Sequence, residues 1–176
     1  VKTESLTLSF DNDTLTEYEK YYFSIHTKAK KKPIAQPYHE SMNVWMIMRR
    51  PMMNALKQKW KDFMVWFIEN QGYTNLRINK CEMTFDVYYP NTRKHDCDNC
   101  TPKFIIDGLC ESGFIVDDDS DHVQSLTLRC HTDRDRPRTE INVNIIEYYD
   151  ESKEEIPNGK EGKNKHKRIR KSDEGE

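Results

Sequence analysis

Leu6, Leu8 and Phe10 alternate with polar neighbours over residues 5–10, a period of two that predicts a strand. Residues 11–43 show neither a strand nor a helix period, which predicts a long exposed loop. That loop carries the basic run Lys28, Lys30, Lys31 and Lys32, flanked by Tyr21, Tyr22, Phe23 and Tyr38. The pattern then changes. Met53, Leu56, Trp60, Phe63, Met64 and Phe67 recur at helical spacing and predict one apolar face of a helix over 51–71. Pro51 suits its first turn and Gly72 its stop. Cys81, Met83, Phe85, Val87 and Tyr89 alternate with polar residues and predict a strand over 77–90. Phe104, Ile105, Gly108 and Leu109 predict a short helix over 101–111, ended by Gly113. Leu126, Leu128 and Cys130, then Ile141, Val143 and Ile145, predict two strands joined as a hairpin through a basic connection at 132–138. From about 151 no period remains, and a Lys, Glu, Gly and Asn composition with a basic cluster at 163–171 predicts a disordered tail over 151–176. The pattern describes an α+β fold: a small mixed sheet with two helices packed on it, in one domain over 1–150.

Composition narrows the classes. No stretch approaches the ~20 apolar residues of a spanning helix, which excludes an integral helical membrane protein. Aromatic residues are 11% of the chain, too many for wholesale disorder. Five cysteines are an odd number and follow no secreted disulfide framework, and no signal-peptide pattern precedes the first strand. The expected location is a reduced, intracellular one, the cytoplasm.

Charge changes the picture more. The formal net charge of -2 hides a division: residues 96–121 hold eight carboxylates against Lys103 alone, a net of -7, which leaves +5 for the rest. Such a focus is a solvated acidic loop, or its carboxylates converge on cations. In an extended segment Asp96 and Asp98 lie on one side, where two carboxylates repel unless a cation bridges them. Mg²⁺ is held by a few carboxylates with water and phosphate oxygens. A third carboxylate arriving after a helix, at Asp117–Asp119, completes a layout for metal-assisted phosphodiester hydrolysis. Calcium loops of the EF-hand type fail at both starts, since Thr101 and His122 stand where glycine is required. Zinc is a competing reading through Cys97-x-x-Cys100, with His95, Cys110, His122, Cys130 and His131 in reach along the chain, but no second ligand pair is evident.

These residues resemble the RusA-type Holliday-junction resolvases. The signature is a basic stretch, D-x-D-N, a lysine, D-[AG]-L, a glycine turn and an Asp pair before a strand. Here it reads Arg93-Lys94, Asp96-Cys97-Asp98-Asn99, Lys103, Asp107-Gly108-Leu109, Gly113-Phe114 and Asp117-Asp118. The likeness is strong over 93–123 and covers roughly 5–148. Thr101-Pro102 sets the lysine one residue farther from the D-N pair than the family has it. The resemblance implies a dimeric, Mg²⁺-dependent endonuclease that nicks four-way DNA junctions symmetrically. It implies Asp96, Asp98 and Asp118 as metal-binding carboxylates, with Asp117 or Asp119 as the alternative third ligand, and Lys103 as the catalytic lysine. Lys28, Lys30, Lys31, Lys32, Arg93 and Lys94 are expected to bind DNA, with Arg129, Arg134, Arg136 and Arg138 as further phosphate contacts. Two other readings stand beside it: a zinc-stabilised nucleic-acid-binding module without catalysis, and a family member that binds junctions without cutting.

Overall fold

A computed structural model describes residues 4–153. Its strands are β1 (Glu4–Asp11), β2 (Ile78–Tyr89), β3 (Val123–Thr132) and β4 (Arg138–Tyr148). Its helices are α1 (Asn12–Ile25), α2 (Met42–Trp45), α3 (Arg50–Asn70) and α4 (Lys103–Glu111), with short 3₁₀ turns at Cys97–Cys100 and Glu151–Lys153. The sheet is mixed and runs β1-β4-β2-β3, with β3 parallel to β2 and the other pairs antiparallel. This is the α+β architecture the pattern describes. Past Lys153 the expected tail, with its basic cluster at 163–171, lies outside the described residues.

One face of the sheet carries the core. Leu8, Phe10, Cys81, Met83, Phe85, Ile141, Val143 and Ile145 are buried, and the register sets Met83 beside Val143 and Phe85 beside Ile141. Trp60, Phe63, Met64 and Phe67 of α3 cover this face, and Phe10 meets Phe63 edge-on at 5.2 Å between centroids. Gly108 lets α4 lie close on α3, because a Cβ there would stand 2.5 Å from Met64 Cβ. Lys57–Asp107 and Lys61–Glu111 ion pairs run along the same seam.

Two expectations need correction. Residues 12–25, read as loop, form α1. Asp11 caps it, accepting from the Asp13 and Thr14 amides at 3.1 Å, while the Thr14 side chain returns to the Asp11 amide. Leu15 and Tyr18 bury its inner face, and Tyr18 packs on Phe63 and Trp66. Tyrosines carry that face, so the apolar stripe is faint in the sequence. The second correction concerns β3 and β4, which do not form a hairpin. β2 lies between them and pairs with both. It is the longest strand, with more than half of its residues buried, and its backbone polar atoms find a neighbour on each side.

Candidate active site

The signature lies on the crossover from β2 to β3, the kind of connection parallel strands require. Beyond Tyr89 the chain leaves the sheet, turns through Cys97–Cys100, and returns along α4. A Schellman motif ends α4. The Gly113 amide donates to Cys110 O and the Phe114 amide to Leu109 O, both at 3.0 Å, with Gly113 at φ +71°. Phe114 and Ile115 re-enter the core, Ile115 bridges Ile78, and the chain emerges as Asp117–Asp121.

Asp96 and Asp98 are exposed and flank the first residue of the 3₁₀ turn, so only Asp96 keeps the extended backbone expected of both. Asn99 of the D-x-D-N run bonds back to Asp96, through its amide to the backbone carbonyl at 3.0 Å and weakly through its side chain to the carboxylate at 3.5 Å. Thr101 Oγ1 donates to the Asp98 carbonyl at 3.0 Å. Among the described residues, the carboxylates of Asp98 and Asp118 enter no ion pair.

Asp118 and Lys103 face one cavity of about 260 Å³, lined also by Thr101, Ile106, Val123 and Leu126. Lys103 Nζ stands 3.8 Å from Asp107 Oδ1, one turn along α4, and Lys57 reaches Asp107 Oδ2 at 2.7 Å, off the angle of a good hydrogen bond. Asp107 is thus a fixed counter-charge between two lysines. A neighbouring cleft of about 360 Å³ holds Asp96 with Arg93, Lys94, His95, Asn99 and Tyr89.

The three aspartates of the later cluster differ in employment. Asp119 is engaged in its own turn: it accepts from the Asp121 and His122 amides and from His122 Nδ1 at 2.6 Å, and the His122 contact first of all lowers its pKa. Asp117 caps the Asp118 amide at 2.8 Å. Among the described residues, the group whose ligand atoms all lie within 4.8 Å of one another is Cys110, Asp117 and Asp118. Asp96, Asp98 and Asp118 are not drawn that close together. Burial, reinforced by Asp118 and Asp117, pushes the Cys110 thiol up to about 12, so it stays a neutral thiol beside oxygen donors. An exposed set of carboxylate oxygens with open space around it fits a hard cation such as Mg²⁺.

His39 is a residue the sequence reasoning missed. It is buried, stacks on Trp60, and its Nε2 accepts from the Phe104 amide at 3.3 Å while Nδ1 donates to Glu40 O at 2.7 Å. Pro102 gives α4 no side-chain cap, so His39 satisfies one of the orphan amides of the helix that presents Lys103. A lone histidine in a polar stretch carried no signal of this.

Of the expected DNA contacts, Lys28, Lys30, Lys31, Lys32, Arg93 and Lys94 are exposed, and Lys32 pairs with Glu19 at 2.9 Å. The arginines beyond β2 are largely engaged within the molecule. Arg136 meets Asp11, Arg129 lies near Asp86, and Arg138 binds Asp133 and Glu140 while covering the Tyr88 ring. No helix among the described residues is long and apolar enough to cross a membrane.

Residues 2–144 match the family model described as Endodeoxyribonuclease RusA. No curated protein matches the chain.

Proposed function

The chain belongs to the RusA family of endodeoxyribonucleases, and from that premise we propose that it resolves four-way DNA junctions as a Mg²⁺-dependent homodimer making paired symmetric nicks. The observation that carries this reading is the shared cavity. Lys103 from the start of α4 and Asp118 from the loop before β3 face one space, beside Thr101 of the Asp98 turn.

Asp96, Asp98 and Asp118 would hold the cation. Asp118 is favoured over its neighbours because Asp119 is engaged in its turn, while Asp117 remains close enough to share the site. Bound there, Mg²⁺ supplies Lewis-acid polarisation of a phosphate oxygen and a water of lowered pKa. Lys103 places a positive charge at the cavity rim, where negative charge grows on the phosphoryl oxygens as the bond breaks. Asp107 restrains the lysine from below, and Lys57 shares the load on Asp107 so that Lys103 is not neutralised outright. Arg93 and Lys94 line the cleft next to Asp96 and supply cations for the DNA backbone on either side of the cut. A twofold dimer presents two such sites to a substrate that requires two cuts.

The test is cleavage of an end-labelled four-way junction with Mg²⁺, repeated with Asp98→Asn. The wild type is expected to give paired nicks, and the variant to lose on the order of 100-fold or more in rate with its fold intact. Junction binding by the wild type without cleavage would establish the non-cutting reading instead. Unchanged cleavage by Asp98→Asn would remove Asp98 from the site.

A further inference from the structure

Two of the five cysteines meet at the base of the turn that carries Asp98, and a third, Cys97, is the first residue of that turn. Cys100 and Cys130 have their sulfurs 3.2 Å apart. The Tyr89 hydroxyl touches the Cys100 sulfur at 2.9 Å, and Cys97, three residues before Cys100 in the same turn, has its thiol near that of Cys130. The topology makes this meeting. Parallel pairing sets Cys130 of β3 beside Val87 of β2, two residues short of Tyr89, and the 3₁₀ turn folds back over that end. Exposure is graded: Cys97 is exposed, Cys130 half-buried and Cys100 buried. An accessible thiol therefore stands in the same turn as the better-shielded Cys100–Cys130 pair.

We propose that Cys97, Cys100 and Cys130 form a thiol relay that small-molecule disulfides oxidise to a Cys100–Cys130 disulfide, tethering the Asp98 turn to β3. The Cys97 thiolate attacks one sulfur of the small disulfide, forming a mixed disulfide and releasing one small thiol. The Cys130 thiol then attacks Cys97 Sγ and gives its proton to the departing small thiolate, so the Cys97–Cys130 bond forms and the second small thiol leaves. The Cys100 thiol attacks Cys130 Sγ, and Cys97 departs as a thiolate that takes up the proton Cys100 releases. Two protein thiols are oxidised and one external disulfide is reduced to two thiols, so atoms and electrons balance. The last bond needs the two sulfurs to close by only about 1.2 Å from their present contact.

The tether has a consequence that rests on the nuclease reading. Asp96, Asp98 and Asp118 do not lie within a common 4.8 Å, so holding one cation between all three would require the Asp98 turn and the Asp118 loop to approach each other. A turn bolted to β3 through Cys100 follows less freely, and the oxidised protein cleaves more slowly.

The experiment incubates the full chain with glutathione disulfide, blocks free thiols by alkylation, and maps peptides by mass spectrometry. The expected product links the Cys100 and Cys130 peptides with loss of two hydrogens, and leaves Cys81, Cys97 and Cys110 alkylated. The link closes a loop spanning 30 residues and raises Tm by on the order of 10 °C, reversed by dithiothreitol. Cys97→Ser forms the same link on the order of tenfold more slowly, and Cys130→Ser shows no oxidant-dependent rise in Tm. A Cys97–Cys100 link, mixed disulfides alone, or no link overturns the proposal, and the wild-type map decides this even where a variant fails to fold. Junction cleavage is expected to drop at least tenfold on oxidation and to return on reduction. Equal rates in both forms overturn the restraint on the turn. A reduced protein that does not cleave at all counts against the nuclease reading and the restraint built on it, while the peptide map still decides the cross-link.

Discussion

Asp118 and Asp98 belong to segments anchored in different ways. The loop of Asp118 leaves the molecule directly from Phe114 and Ile115, which are 0% and 1% exposed and sit in the main core with α3. The turn of Asp98 rests instead on a small separate cluster of Val87, Tyr89 and Cys100, with Tyr38 and Cys130 at its margin. One half of the candidate site is an outgrowth of the core and the other a satellite with few apolar contacts. Local opening costs least where buried apolar contacts are fewest, so the two halves can differ in mobility while the fold stays closed. On the proposed metal-dependent reading, this division would give a fixed base with Lys103 and Asp118 and a second carboxylate segment that can adjust to the ion.

The largest expected effect comes from breaking the core-anchored half. Phe114→Ala removes a fully buried ring and is expected to cost about 3–5 kcal/mol, read from the urea midpoint. A loss below about 1 kcal/mol would mean that the Asp118 loop does not depend on the core.

The His39 contact to α4 gives a pH-dependent handle of intermediate size. Burial, only partly offset by the Glu40 carbonyl and the charges of Glu40 and Asp107, holds its pKa below the ordinary 6.5. The unfolded chain therefore binds the extra proton first. Stability is full above pH 6.5 and declines as pH falls from there toward the lowered folded value, with a slope of up to about 1.4 kcal/mol per pH unit. Urea midpoints between pH 5 and 7.5 check this, and in His39→Gln that part of the slope should vanish. An identical slope in the variant would assign the acid sensitivity to other groups.

The smallest effect sharpens the contrast. Tyr89→Phe removes the hydroxyl at Cys100 and should change global stability by about 1 kcal/mol or less. Its signature is local: the Asn99 amide, bonded to the Asp96 carbonyl, loses protection from hydrogen exchange while the β2 amides of Met83 and Phe85 keep theirs. A uniform loss across both would erase the distinction between the two halves.

How much of this the sequence displays depends on whether the cause is local. The α3 stripe from Met53 to Phe67, the alternation of β2 and the Gly113 stop are local patterns, and each element stands where its pattern puts it. α1 was not legible because its buried face is built largely of tyrosine, whose polar tip blurs the stripe, though Asp11 with Thr14 was a readable cap. The supposed hairpin failed for another reason. Two alternating strands joined by a short connection satisfy the pattern equally well side by side or astride a third strand, and only the demand of β2 for partners on both edges chooses.

The same line divides the candidate site. Spacing alone marked Asp96, Asp98 and the later Asp cluster as one unit, and the family resemblance added Lys103 and Asp107-Gly108. It also assigned the charge: an acidic focus of -7 in a chain that is otherwise basic. Tertiary structure decided what the spacing left open. It engaged Asp119 in a turn, turned Lys103 and Asp118 to one cavity, and set His39 under α4. It also carried Cys130 along a parallel strand to meet Cys100, a contact between residues 30 positions apart. Periodicity and motif spacing encode which face a residue takes, and long-range contact is encoded only by how the strands compete for partners.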